Sequence, residues 1–226
     1  WNIQADLGTA AVVTYSFPTT TPGYLYGEDR FGWQAFSGAQ QADARAALDI
    51  WSAQGGISFV EVPPEVGGAI RFQLIDIYDS NPYDYGFTAG YTYLPYPTYV
   101  FDPEHGGLIQ RNASDDVNGD VFMNSNTYGN DPNAFDPSGD GFSVLLHEIG
   151  HAVGFKHPFS GDPTIDPDHD NWDHTVMTYG PAGDNSEVGT IDKEALAYLY
   201  GTHDLNGSWN TQYDAVVQHG GYAGRG

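Results

Sequence analysis

The stretch Phe142–His157 reads F-S-V-L-L-H-E-I-G-H-A-V-G-F-K-H, and it decides how the rest of the chain is interpreted. Its apolar residues recur at helical spacing, so it is the most strongly helical apolar segment of the sequence. On a helix, His147 and His151 lie one turn apart on the same face, and both imidazoles can reach one metal ion. Glu148 is offset by about 100° around the axis, which keeps its carboxylate off the ion but close to water at the metal.

Gly154 and His157 complete the pattern. A third ligand six residues after His151 cannot lie on the same straight helical face, so the helix has to end first. Glycine tolerates the left-handed backbone conformation that ends helices, and His157 can then return to the ion from another side. Three neutral imidazoles with one exchangeable water form an open catalytic zinc site. Ordinary surface or core histidines, the alternative, leave the long pattern and its place on the predicted helix unexplained.

Alternation and composition predict the remaining elements. Strands are expected at Ala10–Phe17, 57–62, 69–77, 91–94 and 119–124, and residues 79–99 are otherwise expected to be mostly irregular. One further helix is expected after Ser37 as N-cap, and a last one is expected to open at Thr190 and close at Gly201. The order strand, helix, strands, helix predicts an α+β fold, a mixed sheet with helices packed on it.

The charge balance is strongly acidic, with 7 Lys and Arg against 30 Asp and Glu and a formal net charge of −23. We expect neither nucleic acid nor a membrane as partner, because no basic patch can meet phosphates and no run of 18 apolar residues exists. Cysteine is absent, which excludes disulfides, thiolate metal sites and a cysteine nucleophile. Most of the acidic residues are interpreted as solvated surface, with calcium binding by some of them as the alternative.

Asp166, Asp168 and Asp170 are the candidate calcium ligands, since they match the first three positions of a calcium-loop pattern. Asn171 stands where that pattern needs glycine, and Met177 stands at its closing acid position. The loop is therefore not an EF-hand, and a looser Ca²⁺ site remains open.

Two other clusters of polar residues are not expected to bind a metal ion. The cluster Asp115–Asp120 is expected to be a turn. His105, His169 and His174 do not have the spacing of the second zinc site of matrixins, so they are expected to be solvent-exposed.

The long histidine motif followed by a methionine turn resembles the metzincins. Within that clan the resemblance is closest to the serralysins, because Pro158 directly follows the third histidine and T-V-M-T-Y at 175–179 resembles their S-x-M-S-Y turn. The resemblance covers most of the chain, from T-Y-S-F at 14–17 to L-Y-G at 199–201.

The resemblance implies a metzincin (zincin-like) fold with a twisted mixed sheet, a long active-site helix and a C-terminal subdomain below the cleft. Residues 1–201 would form a metalloprotease catalytic domain, and 202–226 a C-terminal extension. Within the domain, 1–154 would be the upper subdomain, and 155–201 the lower one with the methionine turn.

The implied function is that of a secreted, monomeric, zinc-dependent endopeptidase that hydrolyses internal peptide bonds of protein or peptide substrates. One catalytic Zn²⁺ would be bound by His147, His151, His157 and, in the resting enzyme, Tyr179. Glu148 would be the general base. Tyr179 would swing away on substrate binding and donate a hydrogen bond to the developing oxyanion, and Met177 would be an apolar floor. The strand at 119–124 would be the cleft rim that pairs with substrate, or else an ordinary half-buried strand.

Two features depart from the serralysin pattern. No G-G-x-G-x-D calcium repeats are present, and Trp1 is not preceded by a basic, apolar leader, so we expect a trimmed protein or a compact relative. Thr175 and Thr178 replace serine, which keeps both hydroxyls.

Three alternatives to the serralysin-like function remain: a metzincin of another subfamily, a calcium-binding surface module with a vestigial zinc site, and an acidic surface for a cationic partner.

Overall fold

The computed structural model describes residues 1, 7–77, 88–95, 98–102, 107–111, 117–180 and 186–202. His105, the first part of the cluster Asp115–Asp120 and the predicted extension lie outside the described residues, apart from Thr202.

The first long helix, α1 (Gly38–Ser52), begins directly after its predicted N-cap. The Ser37 hydroxyl accepts a hydrogen bond from the backbone N–H of Gln40, and the Gln40 side chain accepts one from the N–H of Ser37. This capping box satisfies donors that a helix start otherwise leaves unpaired. The helix buries one apolar face, which consists of Ala44, Ala47, Leu48 and Trp51, residues that the helical period places together.

Seven strands are present in the described residues: β1 (Ala11–Ser16), β2 (Ile57–Glu61), β3 (Ile70–Ile75), β4 (Gly90–Thr92), β5 (Thr98–Asp102), β6 (Gly107–Arg111) and β7 (Val121–Asn124). Five of them form a sheet in the order β2-β1-β3-β7-β4. Four run parallel and β4 runs antiparallel to β7. β5 and β6 form a separate antiparallel pair. The predicted α+β fold with a mixed sheet is confirmed.

The prediction that the strand at 119–124 is the rim of the cleft is wrong, and so is its alternative of an ordinary half-buried strand. β7 pairs with β3 on one side and β4 on the other, and all four of its residues are buried. It is therefore neither an edge strand nor half-buried. β4 occupies the end of the sheet, and in the described part of the chain it pairs only with β7. Alternation along a strand shows which side chains share a face, but it does not show which strands lie beside it.

Both faces of the sheet are covered, which is why β3 is buried throughout. Phe72 and Leu74 lie in the main core with the residues of α1. Ile75 and Phe122 point to the opposite face and pack with Leu25 from the N-terminal segment. Successive side chains of a strand point to opposite faces, so two cores require two covering layers.

In the described residues, three more α-helices follow: α2 (Ser125–Tyr128), α3 (Asp140–Ala152) and α4 (Thr190–Tyr200). α3 packs against α1, where the Trp51 indole N–H donates to the Leu146 carbonyl at 3.1 Å. α4 begins at Thr190 as predicted, with Gly189 as its N-cap, and Gly201 follows its last residue. Within the described residues, no helix combines the length and the apolar character that crossing a membrane requires.

Candidate metal centre

The end of α3 brings the third histidine back toward the first two. Gly154 has a φ of +103°, a backbone conformation that side-chain-bearing residues rarely adopt. Its N–H donates to the His151 carbonyl, and the Phe155 N–H donates to the Gly150 carbonyl, both at 2.9 Å. The chain then leaves the helix axis, and His157 returns to the exposed side of His147 and His151.

The three imidazoles converge on one point. The Nε2 atom of His157 lies 3.1 Å from Nε2 of His147 and 3.0 Å from Nε2 of His151. In the described residues this is the one group of three or more His, Cys, Asp or Glu side chains whose ligand atoms lie within 4.8 Å of one another. The sequence predicted this grouping from the spacing alone.

Hydrogen bonds fix which ring nitrogens face the centre. Nδ1 of His147 lies 2.8 Å from the Val176 carbonyl, and Nδ1 of His151 lies 2.7 Å from the Phe155 carbonyl. A carbonyl only accepts, so each Nδ1 carries the proton and each Nε2 presents a lone pair. Lone pairs that converge at about 3 Å need a cation or protons between them.

The residues fit a zinc ion. A tetrahedral zinc with Zn–N bonds of about 2.0–2.1 Å separates its nitrogens by roughly 3.3–3.4 Å, close to the observed spacing. Burial lowers the pKa of His147 to about 3 and that of His151 to about 4, and it also lowers the pKa of His157. All three imidazoles are therefore neutral at pH 7, the protonation state in which histidine binds metals.

Glu148 lies beside this centre and is only 4% exposed. Burial raises its pKa to about 8, and a hydrogen bond opposes the rise: the Thr92 hydroxyl donates to Oε2 of Glu148 at 2.9 Å. A cation held by the neighbouring histidines lowers this pKa, because positive charge favours the carboxylate. No sequence pattern points to Thr92 as part of the site. The strand signal at 91–94 places it in β4 but does not show what its side chain meets.

The methionine turn lies directly under α3. Met177 is 2% exposed, and a Cβ added at Gly150 would overlap its sulfur. Glycine at this helical position is thus explained by the close approach of the turn. The same turn supplies the Val176 carbonyl that orients His147.

Asp192 of α4 holds the methionine turn, and no sequence pattern points to this contact. Its buried carboxylate accepts from the Thr175 hydroxyl at 2.6 Å, and from the backbone N–H groups of Val176 and Gly189 at 2.8 Å each. The Thr178 hydroxyl donates to the Asp170 carboxylate. Thr175 and Thr178 stand where the serralysin turn has serine, and both donate a hydrogen bond through the hydroxyl that the two residue types share.

Tyr179 reaches the metal centre from the exposed side. Its hydroxyl lies 2.9 Å from Nε2 of His157, and its ring stacks on His147 at 5.6 Å between centroids. The side chain is nevertheless 70% exposed. It thus has both the reach to bind a metal and the freedom to move away.

A cleft of about 510 Å³ opens beside the histidines. Gly90 of β4 lines one side, and Val144 and Trp172 line others. Glu148 and Tyr179 also line it, so the carboxylate and the phenol face the same space. The volume suits a single side chain of a peptide together with part of its backbone.

The calcium candidates Asp166, Asp168 and Asp170 do not form a group whose ligand atoms all lie within 4.8 Å of one another. Asp166 caps the short 3₁₀ turn Pro167–His169 by accepting from the N–H of Asp168, and Asp170 accepts from Thr178. His169 is exposed and its ring lies 4.8 Å from that of His174, without a third ligand among the described residues.

A mixed sheet covered by α1 and α3, a triad of histidines at the end of α3 and a methionine turn beneath them define a metzincin-type fold. No family model matches the chain.

The chain is similar to serralysin A of Dickeya chrysanthemi, at 27% identity over 94% of this chain and 43% of the relative. It is also similar to a serralysin of Proteus mirabilis, at 28% identity over 90% of this chain and 42% of the relative. The resemblance to serralysins that the sequence predicted is confirmed. The chain spans less than half the length of these relatives.

Proposed function

We propose that residues 1–201 form the catalytic domain of a zinc endopeptidase, which binds one Zn²⁺ through His147, His151 and His157. The observation that carries the proposal is the convergence of three Nε2 atoms, two of them with their Nδ1 atoms committed to carbonyls. Similarity to serralysins supports the same activity. Secretion, a monomeric state and the division at residue 154 into two subdomains belong to the proposal and rest on that similarity.

A bound zinc ion supplies Lewis-acid chemistry: it polarises the scissile carbonyl and makes water acidic enough to attack at neutral pH. Glu148 takes the proton of the attacking water and passes it to the leaving amine. Its buried position and the Thr92 hydrogen bond hold the carboxylate beside the centre without making it a ligand.

Tyr179 has two roles in the proposal. In the resting protein its phenol is a further ligand, as its 2.9 Å approach to Nε2 of His157 supports. When substrate enters, the exposed side chain moves aside and donates a hydrogen bond to the oxyanion that develops at the carbonyl.

Substrate binds in this proposal as an extended strand alongside β4. β4 ends the sheet, and it places Thr92 next to Glu148. Addition of a strand to a sheet edge is a recurring mode of peptide recognition, because main-chain hydrogen bonds give affinity without regard to sequence. One side chain of the substrate would then enter the cleft between Val144 and Trp172.

The test removes and restores the metal. Wild-type protein is expected to contain one zinc per chain, to lose casein hydrolysis on chelation and to recover it with one equivalent of zinc. His151→Ala is expected to lose zinc and hydrolysis together, because two imidazoles bind zinc much less tightly than three. His169→Ala is the matched control: it removes an exposed histidine outside the centre and is expected to behave as wild type.

Hydrolysis that survives complete removal of zinc would contradict the proposal. Tightly bound zinc without hydrolysis of casein or of an unstructured peptide mixture would favour the surface module with a vestigial site.

A further inference from the structure

Phe159 is the exposed apolar side chain nearest the histidines along the chain. It follows Pro158 and is 44% exposed, although a phenyl ring gains by burial. Its ring lies nearly parallel to the imidazole of His157, at 5.1 Å between centroids and 7° between planes. The same ring contacts Tyr179 at 5.1 Å and 50°.

Phe159 sits on a segment whose conformation is fixed from both sides. The Lys156 ammonium donates to the Ser160 carbonyl at 2.6 Å and to the Pro163 carbonyl at 2.8 Å. Beyond it, the Ile165 N–H donates to the Pro158 carbonyl at 3.1 Å. The backbone that carries Phe159 is therefore held from both sides, although its ring is exposed.

Tyr179, in contrast, has few neighbours to hold it. Three rings contact its own among the described residues: those of His147, His157 and Phe159. The two histidines are themselves part of the metal centre. Of these three contacts, Phe159 is the one that is not a candidate metal ligand. Its ring lies against the Tyr179 phenol while the Tyr179 hydroxyl is 2.9 Å from Nε2 of His157.

We propose that Phe159 is a positioning residue that holds the Tyr179 phenol at the metal centre. This inference rests on the metal site of the proposed function and extends it. Because an aromatic pair shifts an equilibrium by about two- to tenfold, Phe159 favours the inward position of Tyr179 without locking it. The Tyr179 phenol can then still move away when substrate binds, and the contact with Phe159 contributes to the free energy that this movement requires.

The test uses copper as a spectroscopic probe. Protein stripped of metal and loaded with one equivalent of Cu²⁺ is expected to show a phenolate-to-copper charge-transfer band in the visible spectrum. Tyr179→Phe should remove the band, which assigns it to this phenol. Phe159→Ala should weaken it by about two- to tenfold at equal copper content. Phe159→Trp, which keeps a flat ring, should restore it.

Phe31→Ala is the matched control, because Phe31 is 47% exposed and makes no described contact with the centre. It should leave the band unchanged, and far-UV circular dichroism of each variant checks the fold. A full-strength band in Phe159→Ala, with none in Tyr179→Phe, would overturn the role of Phe159. The same spectrum in wild type and Tyr179→Phe would overturn it as well, since Tyr179 would then not reach the metal.

Neither outcome depends on peptide hydrolysis. Failure of the proposed endopeptidase activity is read separately, from casein hydrolysis by the zinc-loaded protein. A charge-transfer band that responds to Phe159 in a protein without that activity would support the positioning role and refute only the enzyme.

Discussion

At the residue scale, the buried carboxylate of Glu148 depends on a hydroxyl that lies 56 positions away in the sequence. Thr92 donates to Oε2 at 2.9 Å, and its own place is fixed by the pairing of β4 with β7. A buried carboxylate gains from every donor it finds, since burial otherwise penalises its charge. The hydroxyl therefore both aims the carboxylate and favours its charged form.

Replacing Thr92 by Val should lower kcat by about tenfold with little change in KM, because a hydrogen bond to a charged group contributes about 1.5–3 kcal/mol. Valine keeps the branched shape that suits a strand, so β4 should remain in place. Thr92→Ser retains the hydroxyl and should recover most of the activity. Steady-state kinetics on a quenched-fluorescence peptide measures both constants. A wild-type kcat in Thr92→Val would show that Glu148 needs no such support.

At the scale of elements, the helix α3 and the methionine turn approach each other so closely that one position admits only glycine. A Cβ on Gly150 would overlap the Met177 sulfur and lie 3.1 Å from Cζ2 of Trp51. The same turn orients His147 through the Val176 carbonyl, so a displaced turn also displaces a ligand.

Gly150→Ala should therefore lower the free energy of unfolding by about 1–3 kcal/mol and weaken zinc binding, although alanine is the better helix former. Gly38→Ala is the matched control at the start of α1, where an added Cβ meets nothing within 4 Å. It should change stability by less than about 1 kcal/mol. Urea unfolding and a competition assay with a zinc chelator measure the two effects. Equal behaviour of the two variants would contradict the close approach.

What the sequence could predict was local. The N-cap at Ser37, the apolar face of α1 and the histidine triad each follow from residues a few positions apart in the sequence. The contacts of Thr92 with Glu148 and of Asp192 with the methionine turn join different elements. No periodicity reports such contacts, because they depend on which strands and helices become neighbours.

The error about the strand at 119–124 has the same cause. Its alternation correctly indicated a strand, yet burial of both faces and pairing on both edges come from β3, β4 and the covering N-terminal segment. The exposed ring of Phe159 shows the converse. A single phenylalanine in a loop gives no sequence signal, and its contacts with His157 and Tyr179 became visible only in the structure.

At the scale of the whole molecule, a buried polar network ties the N-terminal segment to the sheet. Asp120 is fully buried and lies 3.3 Å from Arg71; it also accepts from Gln73 at 2.8 Å and from the Tyr24 hydroxyl. The Trp33 indole N–H donates to Gln73 at 2.9 Å. These contacts join Tyr24 and Trp33 of the N-terminal segment to Gln73 in β3 and to Asp120, which directly precedes β7.

This network should make stability depend on pH. Burial raises the pKa of Asp120 to about 7, from an ordinary value of 3.8. The folded protein thus binds a proton between about pH 4 and pH 7 that the unfolded chain has released. The stabilising contribution is present in full below about pH 4 and is lost as the pH rises through 7.

Urea unfolding of wild type and Asp120→Asn across this range tests the sign. The wild-type free energy of unfolding should fall relative to that of the variant, which cannot titrate, as the pH rises. Subtraction removes the pH dependence of zinc binding that both proteins share. Parallel curves would mean that Arg71 keeps Asp120 ionised throughout.

The most direct measurement compares casein hydrolysis by zinc-loaded wild type and Glu148→Ala, with the zinc content of both determined in the same samples. Glu148 is not a ligand, so the variant should retain its zinc and fold. Loss of the proton-transferring carboxylate should lower turnover by about 100-fold or more. Turnover within a few-fold of wild type, at equal zinc content, would contradict the role of Glu148 as general base.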